Sequence, residues 1–257
     1  MLTIEELSSA LRRGRESFSA LQAQYERLPA TRCHCGTPGV CCRFMPEMTL
    51  LEALQWIDAM AQMPEKRRDA LLLRFLSFYM ATPLRQAGCP FLEAEGGCSI
   101  YPRRPFACRA YGLWSVTAGR SRTRQHRDGK RKLIRSWKQL GIRVADDAVA
   151  LEMDYCTQVE SRTQPPPSDR HIMDVLAGVY ALDEPFGPCR DRFEDQYHSD
   201  FSYLLAALLL GARKAVLAKM AVVKEMAEEG TDRRLRKLES QMNSRAAAGL
   251  FRGETSG

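Results

Sequence analysis

Residues 89–109 read CPFLEAEGGCSIYPRRPFACR, a stretch that holds three cysteines among glycines and prolines. Glycine and proline interrupt helices and favour turns, so we predict an irregular loop over residues 85–112. A second stretch, CHCGTPGVCC at 33–42, lies in another predicted loop at 32–46. Seven of the nine cysteines fall in these two stretches. We therefore expect a fold in which two cysteine loops meet on a scaffold built by the rest of the chain.

The segments around the loops carry helical patterns. Thr3 with Glu6, and Thr49 with Glu52, each form the sequence pattern of a capping box. Apolar residues recur at steps of three and four along the first segment, as on the buried face of a helix. Helices are predicted over 3–28, 49–62, 64–80, 168–182, 190–210 with a continuation to 228, and 232–250. The predicted fold class is mostly α: a helical scaffold with cysteine-rich irregular loops around a metal centre.

A proline-rich connector, Gln164-Pro-Pro-Pro-Ser168, separates two regions of the chain. Consecutive prolines favour an extended, stiff backbone. We predict a cysteine-cluster metal-binding domain with an N-terminal helix at 1–160, and a C-terminal helical region at 161–257.

The first 28 residues are polar and charged, without the apolar core and small-residue cleavage site of a secretory signal. We therefore expect a cytoplasmic protein. Disulfides are disfavoured in a reducing cytosol, where clustered cysteines are more often metal ligands. The longest apolar run, 201–212, is shorter than the ~20 residues needed to cross a bilayer. We expect this run to be a buried helix, with no transmembrane segment.

Basic residues outnumber acidic ones by 38 − 31 = 7. Segment 120–132 concentrates seven of them, with Asp128 as its acidic residue. No aromatic residue interleaves them, so stacking on single-stranded bases is not expected, and a nucleic-acid partner is not predicted. The segment is predicted to be a solvated loop that could receive an acidic or protein partner. No pattern indicates an oligomeric state.

The cysteines are the candidate metal ligands, because zinc and iron–sulfur centres both take about four thiolates. Seven thiols exceed one four-ligand site, so two centres form if Cys156, His34 or Cys189 joins. A three-thiolate centre with an open coordination position is the other arrangement. The predicted ligands are Cys33, Cys35, Cys41, Cys42, Cys89, Cys98, Cys108 and Cys156.

The motifs around these cysteines resemble the YkgJ-type cysteine-cluster family, a zinc- or iron-chelating domain, over about residues 30–112. The motifs that carry the resemblance are Cys33-x-Cys35…Cys41-Cys42-Arg43, Leu50…Glu52-Ala53, Cys89-Pro-Phe-Leu92, Cys98-Ser-Ile-Tyr101, Arg104-Pro105 and Cys108-Arg109-x-Tyr111. The first block departs from the family pattern, since five residues separate its C-x-C from Cys41. The resemblance implies metal binding through the cysteines, and a related branch is flagellin lysine-N-methylase.

Four side chains beside the second block are expected to surround the thiolates and offset their charge. They are Tyr101, Arg104, Arg109 and Tyr111.

Two functions stay open at this point. The first is a cytoplasmic protein that holds a Cys-ligated centre for redox chemistry or metal handling. Iron, or an iron–sulfur cluster, is preferred over zinc because the thiol supply is large. The alternative is a metal-dependent modifying enzyme such as a protein lysine N-methyltransferase. A pocket lined by segment 120–132, beside an open coordination position, would favour the enzyme.

Overall fold

The structure is a computed structural model that describes residues 1–34, 40–82, 84–85, 87–145, 156, 158–163, 165–242 and 248–251. Cys35 and the tail from Gly253 lie outside these ranges. The described chain is mostly α, with one small two-stranded sheet, as the sequence predicts. Its helices are α1 Ile4–Glu26, α2 Leu50–Ala61, α3 Glu65–Ala81, α4 Phe106–Ala110, α5 Val116–Gln139, α6 Asp169–Asp183, α7 Pro188–Tyr197, α8 Phe201–Leu210, α9 Ala212–Glu228, α10 Arg233–Ser240 and α11 Ala248–Phe251.

Helix α2 lies at the centre of the fold. Its residues from Leu50 to Met60 are all buried, and the helices α1, α6, α7 and α11 pack around it. Both predicted capping boxes form, at Thr3 and at Thr49. The carboxylate of Asp183, at the end of α6, accepts hydrogen bonds from the backbone amides of Leu50 and Leu51. The first amides of this buried helix are therefore satisfied without water.

Helices α3, α8 and α9 pack against one another as a second layer. The two layers meet in a group of buried aromatic rings: Trp56, Phe75, Phe91 and Phe201. Trp56 contacts Phe91 and Phe201 edge to face, at centroid distances of 4.8 and 5.1 Å. Phe91 belongs to the second cysteine loop, so the aromatic group ties that loop to the scaffold.

The structure corrects the prediction for segment 120–132. The segment lies within α5, a continuous helix of 24 residues, and not in a loop. Arginine, lysine and glutamine are good helix formers. The side chain of Ser115 accepts the Ala118 amide and begins the helix. The high charge that suggested a loop is instead carried on exposed faces of α5.

The C-terminal half also differs from the prediction. The continuous helix expected over 190–228 is divided into α7, α8 and α9. His198 and Ser199 adopt positive φ angles of 53° and 54°, which end α7. Gly211 has a φ of 80°, and α8 and α9 meet there at 108°. Of the helix expected over 232–250, the described part forms α10 and α11.

The buried apolar residues form one continuous cluster that runs from Leu2 to Phe251. It contains residues from both predicted regions, and the division near residue 160 stays a prediction. Most of α8 is buried in this cluster, as expected for the apolar run. Within the described ranges, no single helix is long and apolar enough to cross a membrane. The bent pair α8 and α9 reaches that length and composition only when its two parts are counted together.

Candidate metal centre

The first cysteine block is held by a short antiparallel sheet. Strand β1, Thr31–Cys33, pairs with strand β2, Val159–Ser161, and Cys33 lies opposite Val159. The His34 amide extends the ladder by donating to the Gln158 carbonyl at 2.8 Å. This pairing brings together residues 126 positions apart in sequence (159 − 33).

The second block forms a compact turn followed by a short helix. Leu92 and Cys98 form an isolated antiparallel bridge, and Gly96 takes a φ of 89° at the turn between them. Residues Tyr101–Arg103 then form one turn of 3-10 helix, and α4 carries Cys108. The prediction of an irregular loop therefore holds for most of this stretch, apart from these short helical turns.

Side chains of α2 and α3 hold the second block by hydrogen bonds to its backbone. The Trp56 indole donates to the Arg103 carbonyl at 2.9 Å, and Arg74 donates to the Leu92 carbonyl. Arg103 in turn pairs with the buried carboxylate of Asp58 at 3.1 Å. The loop is thereby fixed at several points along its length.

Glu52 is a buried carboxyl group that joins three parts of the chain. It accepts hydrogen bonds from the Tyr25 hydroxyl at 2.7 Å, the Phe106 amide at 2.5 Å and the Thr49 amide at 2.9 Å. Burial raises its pKa, and the hydrogen bonds it accepts oppose that rise only in part. Because Phe106 begins α4, Glu52 helps to position Cys108.

Both cysteine blocks open onto one cavity of about 770 Å³. The cavity also reaches α5, the junction of α7 with α8, and α9. All four predicted neighbours of the thiolates, Tyr101, Arg104, Arg109 and Tyr111, line it. The predicted ligands that line it are Cys33, Cys41, Cys42, Cys89, Cys98, Cys108 and Cys156.

The sulfurs of Cys41 and Cys42 lie 4.0 Å apart, within hydrogen-bonding distance. The hydrogen bond from Cys42 lowers the pKa of Cys41 to about 6 and raises the pKa of Cys42 itself. Charge on Cys41 also contributes to raising the pKa of three other thiols, after the larger effect of burial. Those three are Cys89, raised to about 12, Cys98 and Cys108.

These five thiols therefore lie close enough to influence one another's ionisation. Burial and the neighbouring thiols favour the neutral form of most of these cysteines. A bound cation would stabilise their thiolates by offsetting the repulsion among the negative charges.

Arg104 is the cation that acts on most of this cluster. Its charge favours the thiolate at Cys41, Cys98 and Cys108, in each case as a smaller effect than hydrogen bonding or burial. Its guanidinium lies 3.6 Å from the ring centroid of Tyr101, a side chain that is 55% exposed.

Arg109 has a different environment. It donates to the backbone carbonyls of Arg104, at 2.6 Å, and Pro102, and lies over the Tyr25 ring. It therefore braces the loop backbone.

The chemistry of the donor set fits zinc or iron. Thiolates are preferred ligands for both, and the cluster supplies more than four of them from two loops. In the described ranges, no three His, Cys, Asp or Glu side chains are placed to enclose an ion as they stand. Binding would therefore require the thiol side chains to turn towards a common point.

Three functional features were not predicted from the sequence. Glu52 was noted only as a capping residue and as part of a motif. Trp114 and Arg122, whose guanidinium lies 3.8 Å from the Trp114 ring centroid, line the cavity beside the cysteines. Lys219 lines its far side. Glu52 is the one with a signal in the sequence, because an acidic residue within an otherwise apolar helix indicates a buried contact.

Comparison with known proteins identifies a family model that matches part of the chain. Residues 33–133 match the model of the CxxCxxCC family, described as "Putative zinc- or iron-chelating domain". No curated protein and no solved structure matches the chain. The match begins at Cys33 and ends within α5, so it contains both cysteine blocks. The cysteine-cluster family expected from the motifs is therefore confirmed: residues 33–133 carry a domain of the CxxCxxCC zinc- or iron-chelating family.

Proposed function

We propose that the chain binds a zinc- or iron-containing centre through the cysteines of its two blocks, and that an iron–sulfur cluster is the preferred occupant. The observation that carries this proposal is that five cysteines from both blocks line one cavity: Cys41, Cys42, Cys89, Cys98 and Cys108. Cys33 and Cys156 line the same cavity and are the proposed additional ligands, with Cys35.

The preference for iron follows from the number of thiols and from the charge around them. A single structural zinc needs four ligands, and the two blocks offer more. Arg104 would offset part of the negative charge of a thiolate-bound cluster, and Glu52 and Arg109 would hold the loops that carry the ligands. A bound cluster would supply one-electron transfer, whereas zinc would supply a cross-link or Lewis acidity. A reducing compartment such as the cytoplasm is the proposed setting, because it keeps the thiols available.

The experiment is anaerobic expression with both iron and zinc supplied, followed by metal analysis and absorption spectroscopy. A brown protein with broad absorption that bleaches on reduction, and with iron and acid-labile sulfide bound, is expected. A colourless protein with stoichiometric zinc would overturn the iron preference and retain the ligand assignment. A protein with neither metal would overturn the proposal as a whole.

A second function, a metal-dependent modifying enzyme, is supported by the size of the cavity. A volume of about 770 Å³ is far larger than an ion requires and lies in the range of small-molecule sites. Arg122 and His126, from the basic segment of α5, line it beside the cysteines.

The specific version of this alternative is a protein lysine N-methyltransferase. It predicts that S-adenosylmethionine binds the metal-loaded protein in a calorimetric titration. Absence of binding at millimolar concentration would remove the methyltransferase version and leave the metal-binding proposal intact.

A further inference from the structure

The far side of the cavity is built mostly by residues of the C-terminal helices. Helix α9 contributes Lys219, and the junction of α7 with α8 contributes polar groups that include a carboxylate and two hydroxyls. Helix α3 completes this wall. The residues of the far side are Phe78, Thr82, Ser199, Asp200, Ser202 and Lys219.

The ammonium of Lys219 lies against a pair of tyrosine rings. Its ammonium lies 4.0 Å from the ring centroid of Tyr79, and Tyr79 stacks on Tyr203 at 5.1 Å with the rings almost parallel. Burial lowers the pKa of Lys219 to about 8, and the charge of Asp200 opposes this shift in part. Among the residues that the structure describes, none forms a hydrogen bond or an ion pair with this ammonium. The Lys219 side chain is half-buried and lines the cavity.

The acidic group whose charge acts on Lys219 is Asp200, the residue that caps α8. The carboxylate of Asp200 accepts hydrogen bonds from the Ser202 amide at 2.8 Å, the Ser202 hydroxyl at 2.6 Å and the Tyr203 amide at 3.1 Å. All three bonds are accepted by Oδ1, which makes Asp200 the cap of α8. Asp200 acts on Lys219 through its charge, without an ion pair between them. The charge of Lys219 is therefore available to a molecule within the cavity.

The backbone beside this wall is strained. His198 and Ser199 have consecutive left-handed φ angles, which are unfavourable for residues other than glycine. Such conformations persist where the surrounding structure enforces them, and they cluster at ligand sites. Here the strain turns the chain so that Ser199 and Asp200 both line the cavity.

We propose that Lys219 binds the anionic group of a small organic ligand, a carboxylate or a phosphate ester, whose apolar body occupies the cavity. The ammonium supplies the charge, the hydroxyls of Ser199 and Thr82 supply neighbouring polar groups, and Phe78 and Leu176 supply apolar wall. A cavity of about 770 Å³ admits a ligand with an aromatic ring. Lys219, Ser199 and Leu176 lie outside residues 33–133, and the proposal does not depend on which metal the cysteines bind.

The test is a calorimetric titration of the metal-loaded protein with four probes: acetate, benzoate, inorganic phosphate and phenyl phosphate. Benzoate or phenyl phosphate should bind more tightly than the anion without a ring, because the ring buries apolar surface. The tighter of those two identifies the carboxylate or the phosphate as the preferred group. Lys219→Met should weaken binding at least about tenfold, and Lys219→Arg should remain within a few-fold of the wild type.

The matched control is Lys224→Met, on the same helix, where the ammonium is exposed and lies 4.0 Å from Glu228. Its affinity for the probes should equal that of the wild type. Lys219→Gln provides a second neutral variant if Lys219→Met does not fold. Binding that is unchanged in the neutral Lys219 variants, or absent for all four probes at millimolar concentration, overturns the proposal. Metal content should be the same in Lys219→Met as in the wild type, which separates this outcome from a failure of the metal proposal.

Discussion

The backbone amide of Cys89 donates a hydrogen bond to the carbonyl of Cys42 at 2.5 Å. This bond joins the first cysteine block to the second at the point where each carries a thiol. The two residues also influence each other electrostatically, since charge on Cys89 contributes to the raised pKa of Cys42, after hydrogen bonding and burial. The two loops are therefore joined through their backbones without a bound metal.

This arrangement predicts which cysteines determine metal content. Cys42→Ser, Cys89→Ser and Cys108→Ser should each lower the metal-to-protein ratio, because serine is a poor ligand for zinc and iron–sulfur centres. Elemental analysis of protein purified without oxygen measures the ratio. The control is Cys189→Ser in α7, whose sulfur lies 3.8 Å from Arg192 and which does not line the cavity. Equal loss of metal in the control and the three variants would contradict the assignment.

Arg104 should raise metal affinity through its charge, and its Nε also donates to the Tyr101 carbonyl at 3.2 Å. Its guanidinium makes no ion pair among the described residues, and its charge favours the thiolate at three cysteines. Arg104→Met should weaken metal binding about 10-fold or more, as expected for a group that supports the ligands. Competition with a chelator measures the affinity. Arg67→Met is the control, because Arg67 pairs with Glu93 on the surface. Unchanged affinity in Arg104→Met would assign Arg104 to the surface.

The close approach of Val159, in strand β2, explains why glycine occupies position 112. This residue has a φ of 82°, and a Cβ atom there would lie 2.7 Å from the Cβ of Val159. Gly112→Ala should lower the free energy of unfolding by about 1–3 kcal/mol, from backbone strain and overlap. Gly129→Ala is the matched control. Gly129 lies within α5 with open space around it, so alanine there should raise helix stability by about 0.5–1 kcal/mol. Denaturant unfolding measures both changes, and equal effects would refute the steric account.

Local patterns were sufficient to predict many of the helices, although not α5, and the family matched by residues 33–133. Thr3, Thr49 and the spacing of apolar residues mark α1 and α2, and the cysteine motifs mark the family. The division at His198 and Ser199 could not be predicted, because neither residue is a typical helix breaker and tertiary packing enforces the left-handed turn. The far wall at Lys219 could not be predicted either, since residues distant in sequence meet there only in the folded chain.

Glu52 has a structural role beyond its place in the capping box of α2, because it also accepts hydrogen bonds from Tyr25 and Phe106. Replacing it with alanine leaves the Tyr25 hydroxyl and the Phe106 amide without their acceptor. We expect Glu52→Ala to lower the free energy of unfolding by at least about 2 kcal/mol, and Glu52→Gln to lower it less because an amide oxygen remains. Glu47→Ala, at an exposed position, should change it by less than about 0.5 kcal/mol. Denaturant unfolding at neutral pH compares the three variants, and similar values for Glu52→Ala and Glu47→Ala would exclude a bracing role.

Asp183 should make stability depend on pH. Burial raises its pKa to about 6, although the amides of Leu50 and Leu51 favour the ionised form. In the unfolded chain an aspartate has a pKa near 3.9, so the folded state holds this proton more tightly. The stabilising contribution is therefore fully present below about pH 4 and is lost as the pH rises through about 6.

The free energy of unfolding of the wild type, minus that of Asp183→Asn, should thus fall by about 1–3 kcal/mol between about pH 4 and pH 7. The asparagine variant keeps an acceptor for the α2 amides but cannot ionise, so the difference isolates the titration of this one group. Asp195→Asn, at an exposed position in α7, controls for the change in net charge and should give a difference that is nearly flat with pH. Urea unfolding at a series of pH values measures both differences. A difference for Asp183→Asn that stays constant, or that grows as the pH rises, would show that hydrogen bonding to α2 outweighs burial at this carboxyl group.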